Sequence, residues 1–474
     1  MDHRRAPLFE AMRQHQRRMS GNFHIPGHKQ GQAFDPAGKD YFSSLLQLDF
    51  TEVEGLDDLH AATGVIAEAQ ALAADAFGAD DTFFLVGGTT AGNLATLLAI
   101  CQPGDPVIIQ RSSHQSIFHG CMLAGVRPIY VGAEIDCQTG FEKPLPPERI
   151  QQILQSNPKV KGVWITSPSY FGINQDIEAI ASICHHYNVP LIVDEAHGAH
   201  YTFHEQLPPS AMAAGADIAI QSTHKMLTSM TMSSMLHVKE GRVERESLTK
   251  WLRVIESSSP SYPLMASLDL ARRYMVMHGR TQLDRVWQHL SQLRQALHQC
   301  SGLEELILQK DQDPFKLSLR LSGRTGFFLS SLLRKSGLYP ELENERLVLF
   351  VFSVGSTQTE CDQLLLRLQQ IASETEAEQQ ETKPFFTQMI KPISEALFSF
   401  EELRRSQPQK VPLEEAVGLV SAEMIIPYPP GIPVLLPGEV FTAELVEQLI
   451  DFLNLGGNVR GIELGDPKLV NVLR

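Results

Sequence analysis

The sequence has no closely paired cysteines and no long apolar run, and each absence excludes a class of protein. Its six cysteines are scattered without a CxxC motif, which predicts reduced thiols and neither a zinc site nor a disulfide framework. His200 and His204 have a ligand-like spacing outside a clear helix, so we expect no metal site. No segment approaches the roughly 18 apolar residues of a membrane span. Residues 1–19 lack the apolar core of a signal peptide, and Asp2 and Glu10 argue against a transit peptide, so we expect a cytoplasmic protein.

The charge balance is acidic, with a formal net charge of −15 over 474 residues. This balance argues against nucleic-acid affinity and favours cationic ligands weakly, because many soluble enzymes are acidic for solubility alone. A hydrophobic content of 43% and a charged content of 20% are typical of a soluble globular enzyme. We therefore expect a small-molecule substrate and neither a nucleic-acid nor a membrane partner.

Apolar runs alternate with helical patterns between residues 50 and 265. The seven candidate strands are Phe83–Val86, Val107–Gln110, Pro128–Val131, Gly162–Thr166, Leu191–Asp194, Ile218–Gln221 and Ser234–Val238. The alternation predicts an α/β fold with a mostly parallel sheet covered by helices on both faces. Only a short connection precedes the seventh strand, so that strand could pair antiparallel.

The remaining segments predict further units on either side of this large domain. Helical patterns flank two candidate strands, Lys316–Leu321 and Arg346–Ser353, and these predict a smaller α/β domain. A polar, acidic stretch follows it and is typical of a linker or a solvated helix. The predicted division is an N-terminal arm (1–49), a large domain (50–265), a small domain (266–373), an acidic linker (374–383) and a C-terminal domain (384–474).

Two strand ends carry the residues around which the predicted site is arranged. Pro190–Asp194 is an apolar run that ends in a carboxylate, and Asp217–Gln221 leads into Ser222–Lys225. In open α/β sheets, ligands bind at the carboxyl ends of strands. An acid and a lysine so placed suit pyridoxal 5′-phosphate (PLP), because the lysine can form a Schiff base while the acid keeps the pyridine nitrogen protonated. Either residue alone would more often be structural or solvated.

A glycine-rich turn, Gly87–Asn93, follows the first candidate strand and opens a helix. Glycines such as Gly88 permit the tight turn, and the helix N-terminus with the hydroxyls of Thr89 and Thr90 offers donors to an anion. The pattern is neither a Walker motif nor a dinucleotide fingerprint. Beside the two strand ends it predicts a phosphate site, whereas alone it would as readily be a plain turn.

Four more polar residues lie near these strand ends. His114 could stack on a cofactor ring or be a surface residue at a helix start. Ser222 and His224 could hydrogen-bond a phosphate or cap a turn. His197, three residues beyond the strand-end carboxylate, could contact the ring oxygen or the carboxylate of a substrate.

Seven segments together resemble the fold-type I, PLP-dependent Orn/Lys/Arg decarboxylase family, in its short form without an N-terminal wing domain. They are Phe23–Gly31, Gly87–Asn93, Ser113–Ser116, Asp194–His200, Ser222–Lys225, Ser257–Tyr262 and Tyr428–Pro433. The resemblance covers nearly the whole chain, and the Asp-Glu-Ala-His-Gly and Ser-Thr-His-Lys motifs, in that order, are its most specific part. It implies an aspartate-aminotransferase-like large domain with a seven-stranded sheet, a smaller α/β domain and a C-terminal domain.

The resemblance also implies roles for matched residues. Lys225 would carry PLP as a Schiff base, Asp194 would pair with the pyridinium nitrogen, and His114 and Ala196 would lie on opposite faces of the ring. Ser258 would reach the phosphate of a neighbouring subunit, which implies a homodimer or higher homo-oligomer with shared active sites. The residues that would hold the phosphate within one chain are Gly88, Thr89, Thr90, Ser222 and His224.

Three residues depart from the pattern of the family. Gln115 stands where Lys is frequent, Ser258 where Thr is usual, and Met232 where Gln is common. None of the three departures removes a chemically essential group. They bear on substrate specificity, because loops near the lysine shape the pocket.

The implied activity is decarboxylation of arginine, lysine or ornithine to the amine and CO2, in polyamine-related metabolism. The expected catalytic residues are Lys225, Asp194 and His197, with His197 or Lys225 as the proton donor to Cα. A cationic side chain needs a carboxylate partner, and the candidates, which could equally form a solvated acidic turn, are Glu52, Glu54, Asp57 and Asp58. The alternatives are another fold-type I enzyme, an aminotransferase or lyase, or a non-catalytic paralogue, against which the intact Asp194 and Lys225 argue.

Overall fold

Strands and helices alternate along most of the chain. The computed structural model describes residues 1–375, 385–386, 392–395, 398–428 and 431–473. The strands are β1 (Asp81–Leu85), β2 (Pro106–Gln110), β3 (Arg127–Val131), β4 (Val163–Thr166), β5 (Leu191–Asp194), β6 (Ile218–Gln221), β7 (Ser234–Val238), β8 (Leu303–Glu305), β9 (Lys316–Leu321), β10 (Leu342–Glu343), β11 (Val348–Val351), β12 (Ile393–Glu395), β13 (Gln409–Pro412), β14 (Val420–Ser421), β15 (Ile426–Pro427), β16 (Val459–Arg460), β17 (Ile462–Glu463) and β18 (Leu469–Leu473). The helices are α1 (Pro7–Arg18), α2 (Pro36–Leu46), α3 (Val65–Phe77), α4 (Gly88–Ile100), α5 (Gln115–Ala124), α6 (Pro147–Ser156), α7 (Ile177–His186), α8 (Thr223–Met226), α9 (Arg245–Ile255), α10 (Tyr262–Leu297), α11 (Gly326–Lys335), α12 (Gln358–Glu374), α13 (Phe400–Arg405) and α14 (Ala443–Asn454).

The largest sheet has the strand order β1-β7-β6-β5-β4-β2-β3-β12. Strands β2 to β6 pair in parallel, whereas β7 pairs antiparallel with both β6 and β1. All seven predicted strands are present, and the expected antiparallel pairing of the seventh is confirmed. The prediction of seven strands is wrong by one, because β12 from the C-terminal region adds an antiparallel edge to β3. That strand has three residues, Ile-Ser-Glu, which are too few to show an alternating pattern in the sequence.

The central strands are buried on both faces, which explains their continuous apolar sequences. Trp164 and Ile192 pack with α4, α5 and α9, whereas their neighbours Ile165 and Val193 pack with α6 and α7. Successive side chains of a strand point to opposite faces, so a sheet between two helical layers needs apolar residues at every position. The first polar residue after such a run therefore lies at the carboxyl end of its strand.

The long helix α10 leads from the large sheet to a second, four-stranded antiparallel sheet of order β10-β11-β9-β8. Its N-cap Ser261 accepts a hydrogen bond from the backbone N–H of Leu264 at 3.4 Å, which satisfies a free donor of the first turn. Strand β9 has the predicted bounds, and β11 lies within the predicted Arg346–Ser353. Strands β8 and β10 were not predicted, since they are two or three residues long and partly polar.

The C-terminal region adds β13, β14, β17 and β18 in one small sheet and the pair β15–β16. Helix α12 ends at Glu374, and residues 376–383 of the predicted acidic linker lie outside the described residues. Residues 429–430 of the Tyr428–Pro433 motif also lie outside them. Helix α10 crosses the predicted boundary between residues 265 and 266, and the division into domains stays a prediction. Among the described helices, none combines the length and apolarity that crossing a membrane requires.

Candidate active site

A cavity of about 250 Å³ lies where β2, β4 and β5 end and beside the segment that follows β6. Its strand-end lining comes from chain that closely follows the strands: Thr89, His114, Asp194, Ala196, His197 and Lys225. Its loop lining comes from the β3–α6 connection and the C-terminal region: Ile135, Gly140, Glu142, Phe385, Phe386, Pro427, Ile432, Pro433 and Val434. The β4–α7 connection adds Tyr170 and Phe171. The cavity therefore joins predicted site residues to residues to which the sequence analysis gave no role.

Asp194 is the last residue of β5 and is only 3% exposed. Its carboxylate accepts hydrogen bonds from Asn93 Nδ2 at 3.1 Å and from the backbone N–H of Ala196 at 3.2 Å. Asn93 also donates to Ser116 Oγ at 2.9 Å. The amide of Asn93 fixes the carboxylate without neutralising it, because an amide N–H carries no formal charge. The sequence analysis did not single out Asn93, although it ends the glycine-rich motif.

Lys225 lies on the single turn of α8, directly after β6. Its Nζ lies 3.0 Å from His197 Nε2 and 5.8 Å from the centroid of the Tyr170 ring. Burial lowers the pKa of Lys225, and the nearby Asp194 opposes that shift. A lysine whose ammonium form is disfavoured can serve as a nucleophilic amine near neutral pH.

A second lysine reaches the same imidazole, and the sequence analysis missed it. Lys316 begins β9 and is 2% exposed, and its Nζ lies 3.2 Å from His197 Nδ1. Burial lowers the pKa of Lys316 to about 8. Burial, with Lys225 and Lys316 adding to it, lowers the pKa of His197 well below its usual value, so that ring is neutral. The sequence signal was weak, because Lys316 starts a strand in which polar and apolar residues alternate.

The ring of His197 is also held by an aromatic neighbour. Tyr170 lies with its ring centroid 4.4 Å from that of His197, and its hydroxyl donates to Glu341 at 2.5 Å. Burial and Glu341 raise the pKa of Tyr170, so the phenol keeps its proton. Tyr170 was not predicted, because nothing in its own sequence neighbourhood marks it.

Three of the predicted phosphate residues, Gly88, Thr89 and Thr90, begin α4. Gly88 has a φ of +75°, which favours glycine, and opens the helix directly after β1. Thr89 Oγ1 lies 3.1 Å from Ser222 Oγ. His224 lies outside the lining, and its Nδ1 is 2.9 Å from the carbonyl oxygen of Ser233. Thr90 is exposed and does not line the cavity.

His114 and Ala196, the two residues expected beside a cofactor ring, both line the cavity. His114 caps α5: its Nδ1 accepts from the backbone N–H of Ser116 at 3.3 Å and lies 2.9 Å from Ser116 Oγ. Because Nδ1 is an acceptor, the ring N–H is on Nε2. Burial lowers the pKa of His114, which favours a neutral ring suited to stacking.

Ser258 does not belong to the cavity of its own chain. It is exposed on the turn after α9 and is not among the lining residues. Its neighbour Ser257 offers a carbonyl oxygen 2.8 Å from His60 Nε2. The structure thus leaves Ser258 exposed and apart from the predicted residues that line the cavity.

The loop lining contains the carboxylate of Glu142, and Arg111, which directly follows β2, attaches the C-terminal region to it. Glu142 accepts from the backbone N–H of Ala133 at 3.2 Å, and burial raises its pKa. Arg111 donates to the carbonyl oxygen of Pro433 at 2.6 Å and to Glu439 at 3.0 Å. Neither residue was predicted, since the cavity that both line is formed by segments far apart in the sequence.

The acidic cluster singled out in the sequence does not reach the cavity. None of Glu52, Glu54, Asp57 and Asp58 is a lining residue. Asp57 instead accepts from the backbone N–H groups of Gly64 at 2.8 Å and Ile66 at 3.0 Å, at the start of α3. His200 and His204 contact Asp313 and Asp284, and no group of side chains in the described residues could hold a metal ion.

Comparisons with known proteins agree with this arrangement. The family model of the Orn/Lys/Arg decarboxylase major domain matches residues 6–312, and that of the C-terminal domain matches residues 379–460. The uncharacterized protein YaaO of Bacillus subtilis is 38% identical over 465 residues, or 96% of each chain. Arginine decarboxylase of the same organism is 36% identical over 485 residues, covering 100% of this chain and 99% of that protein. The solved constitutive lysine decarboxylase of Escherichia coli has the same fold, with a TM-score of 0.84 at 22% identity, covering 100% of this chain and 82% of that one.

Proposed function

We propose that this chain, which belongs to the Orn/Lys/Arg decarboxylase family, uses PLP to decarboxylate a basic L-amino acid, with L-arginine preferred. The observation that carries the proposal is one cavity lined by a buried Asp194, an amine on Lys225 and a second carboxylate on Glu142. The family consists of decarboxylases, and two of its expected groups stand on neighbouring strand ends. We further propose that the amine product serves polyamine-related metabolism.

The side chains at the strand ends fit PLP. A buried carboxylate that accepts hydrogen bonds from neutral donors suits a protonated pyridine nitrogen, and a helix start with adjacent hydroxyls suits a phosphate. Asp194 would hold the ring nitrogen, Lys225 would attach the aldehyde carbon, and Thr89 with Ser222 and the N-terminus of α4 would hold the phosphate. When bound, the cofactor supplies an electron sink for the bond that breaks at Cα.

The protein side chains around the sink control protons and water. Asp194 keeps the proton on the ring nitrogen, since its negative charge favours the protonated form. His197 and Lys225 lie 3.0 Å apart, so either can deliver the proton that Cα needs once CO2 has left. Phe385, Phe386 and other apolar loop residues exclude water and thereby strengthen each electrostatic contact inside.

Glu142 is the proposed partner of the cationic side chain of the substrate. Among the described residues that line the cavity, the carboxylates are Asp194 and Glu142, and the first is assigned to the cofactor. Burial raises the pKa of Glu142, and the nearby Arg111 opposes that shift, so the guanidinium or ammonium group of a substrate would further favour its charged form. A planar guanidinium can donate two hydrogen bonds to one carboxylate. The relative of 36% identity named arginine decarboxylase supports arginine as the preferred substrate.

We also propose that two copies of the chain form a homodimer that shares active sites. Phe23 is 98% exposed and Tyr41 is 87% exposed in the isolated chain, and the apolar exposure of this arm invites a partner. The exposed Ser258 would then be free to reach the phosphate of the other subunit. The cytoplasmic location stays a prediction.

Product analysis tests the proposal. Purified protein loaded with PLP is incubated separately with L-arginine, L-lysine and L-ornithine, and the amines agmatine, cadaverine and putrescine are quantified by mass spectrometry. We expect agmatine to form fastest and to disappear in Lys225→Ala. A faster yield of cadaverine or putrescine would overturn the arginine preference. Formation of a 2-oxo acid without amine would indicate an aminotransferase and contradict the proposed reaction.

A further inference from the structure

Arg111 is a cation in the lining of the cavity, near the carboxylate that is proposed to bind the substrate. It directly follows β2, its side chain is 7% exposed, and it lines the cavity together with Glu142. Its positive charge favours the charged form of Glu142. A substrate cation that reaches Glu142 therefore comes near a cation that the protein already holds, and like charges repel. A cavity for a basic side chain needs a group that offsets this repulsion.

The hydrogen bonds of the Arg111 guanidinium run to the C-terminal region. Its Nη1 donates to the carbonyl oxygen of Pro433 at 2.6 Å, and its Nη2 donates to that of Val434 at 3.2 Å and to Glu439 Oε2 at 3.0 Å. Within the part of the chain that the structure describes, no hydrogen bond joins Arg111 to Glu142. Arg111 thus has its carboxylate partner outside the lining, and Glu142 stays available to another cation.

The carboxylate of Glu439 is fixed by its own segment. Its Oε2 also accepts from the backbone N–H of Leu436 at 2.7 Å, and its backbone N–H donates to the carbonyl oxygen of Leu436 at 3.0 Å. The side chain of Glu439 is 25% exposed, so the pair with Arg111 is largely shielded from solvent. A guanidinium in such a place needs a charged partner, because removing one member of a buried pair leaves the other uncompensated.

A count of charges shows what Glu439 changes. The acidic and basic side chains among the described lining residues are Arg111, Glu142, Asp194 and Lys225, and the last two are assigned to the cofactor. Arg111 and a charged Glu142 alone would cancel each other. With Glu439 beside Arg111, this end of the cavity has one positive and two negative charges, and the remaining negative charge is what one substrate cation neutralises.

We propose that Glu439 is a positioning residue for the charge of the substrate: it pairs with Arg111, leaves Glu142 to the substrate and so makes the cavity select a cationic side chain over a neutral one of the same shape. The inference deepens the proposed function and rests on it for the place of the substrate. Without Glu439, the guanidinium of Arg111 would repel the substrate cation and compete with it for Glu142.

Glu439→Gln separates the charge of the pair from its role in fastening the C-terminal region. The amide oxygen of glutamine can accept from Arg111 and from the backbone N–H of Leu436, as the carboxylate does. The bonds from Arg111 to Pro433 and Val434 do not involve residue 439. The cavity wall at residues 432–434 should therefore stay in place, while Arg111 becomes an uncompensated cation.

The test compares two ligands of nearly one shape in the PLP-loaded full-length protein. Agmatine ends in a guanidinium group, whereas N-carbamoylputrescine ends in a neutral urea group, and calorimetry at pH 7 gives both dissociation constants. In Glu439→Gln we expect the constant of agmatine to rise about tenfold and that of the neutral ligand to change less than about twofold. The KM for L-arginine should rise by a similar factor, with a smaller change in kcat. A general loosening of the cavity would weaken both ligands together.

Two further variants complete the test. Glu447→Gln removes an exposed acid of α14 and should change neither constant. Adding Arg111→Met to Glu439→Gln removes the uncompensated cation along with three hydrogen bonds of the C-terminal region. Both ligands should then bind more weakly because the wall is loosened, but the preference for agmatine should return, which a purely structural role of Glu439 would not produce.

Three results would overturn the proposal: an unaltered protein without preference for agmatine, equal weakening of both ligands in Glu439→Gln, or a preference that stays lost when Arg111→Met is added. The outcome is separable from the proposed function. A preference that falls in Glu439→Gln, without amine formation from any basic amino acid by the unaltered protein, would contradict the decarboxylase proposal alone. Amine formation with an unchanged preference in Glu439→Gln would contradict the role of Glu439 alone.

Discussion

The two linings of the cavity differ in how the chain builds them. Each residue of the strand-end lining follows a buried strand within a few positions, so the sheet places it whatever the loops do. The loop lining joins the β3–α6 connection to the C-terminal region, and Arg111 fastens the latter through Pro433 and Glu439. The comparison teaches that, under the proposed function, the sheet places the groups for the reaction, whereas long-range contacts form the surface assigned to the substrate side chain.

The largest effect is expected at Lys225. Lys225→Ala removes the amine that attaches the cofactor, so turnover should fall by at least about a thousandfold. The visible absorbance of added PLP after gel filtration, and the rate of amine formation, measure both consequences. Lys143→Ala, at an exposed lysine in the β3–α6 connection, is the control and should change neither. If Lys225→Ala kept both the bound PLP absorbance and the rate of amine formation, the strand-end lining would not be the site of the reaction.

Asp194→Asn tests the same lining one step further from the bond that breaks. The amide cannot hold a proton on the ring nitrogen, so kcat should fall on the order of a hundredfold or more, while KM changes little. Glu195→Gln is the matched control at pH 7, because burial raises the pKa of Glu195 to about 8 and its side chain is already mainly neutral. Equal losses of kcat in the two variants would show that disturbed packing, and not the lost charge, explains the effect of Asp194→Asn.

Glu142→Gln tests the loop lining. Loss of the carboxylate should raise the KM for L-arginine about tenfold to a hundredfold with a smaller change in kcat, since a charge-assisted contact is lost in the bound substrate. Glu134→Gln, at an exposed acid of the same connection, should leave KM unchanged. A pure loss of kcat would contradict the separation of the two linings.

Glu195, which follows Asp194 but lies outside both linings, carries a stability effect that depends on pH. Glu195 keeps its proton in the folded state up to about pH 8, whereas its usual pKa is 4.5. The unfolded chain releases that proton first, so this carboxyl lowers the free energy of unfolding as pH rises from 4.5 to about 8, by at most about 1.4 kcal/mol per pH unit. Glu195→Gln should flatten the stability profile from urea unfolding in that window. An unchanged slope would contradict the buried neutral carboxyl.

The smallest effect is expected at Asp57, which lies in neither lining. Asp57→Ala removes the acceptor for the backbone N–H groups at the start of α3 and should lower the free energy of unfolding by about 1 kcal/mol. The KM for L-arginine should not change. A raised KM with unaltered stability would return the acidic cluster to the role of substrate partner.

The sequence permits prediction of those parts whose signal is local. The seven strands have a local signal, because burial on both faces requires a continuous apolar run. The polar residues that end these runs are visible in the sequence for the same reason. Strand β12, Lys316 and Glu142 could not be predicted. The partners of β12 and Lys316 lie more than a hundred residues away in the sequence, and Glu142 is recognised only by its place in the cavity lining. Asp57 is the opposite case. The sequence analysis offered it as a partner of the substrate cation, whereas the structure shows that it accepts from backbone N–H groups at the start of α3.

Isotopic labelling tests the central claim most directly. L-arginine labelled with ¹³C at its carboxyl carbon is turned over by the PLP-loaded protein in heavy water, and both products are analysed by mass spectrometry. The account predicts one labelled CO2 for each molecule of amine. It also predicts one deuteron at the former Cα, because Cα takes up one hydron from a group of the site in place of the lost carboxylate. Label retained in an organic product, with no CO2 released, would contradict decarboxylation and the assignment of both linings.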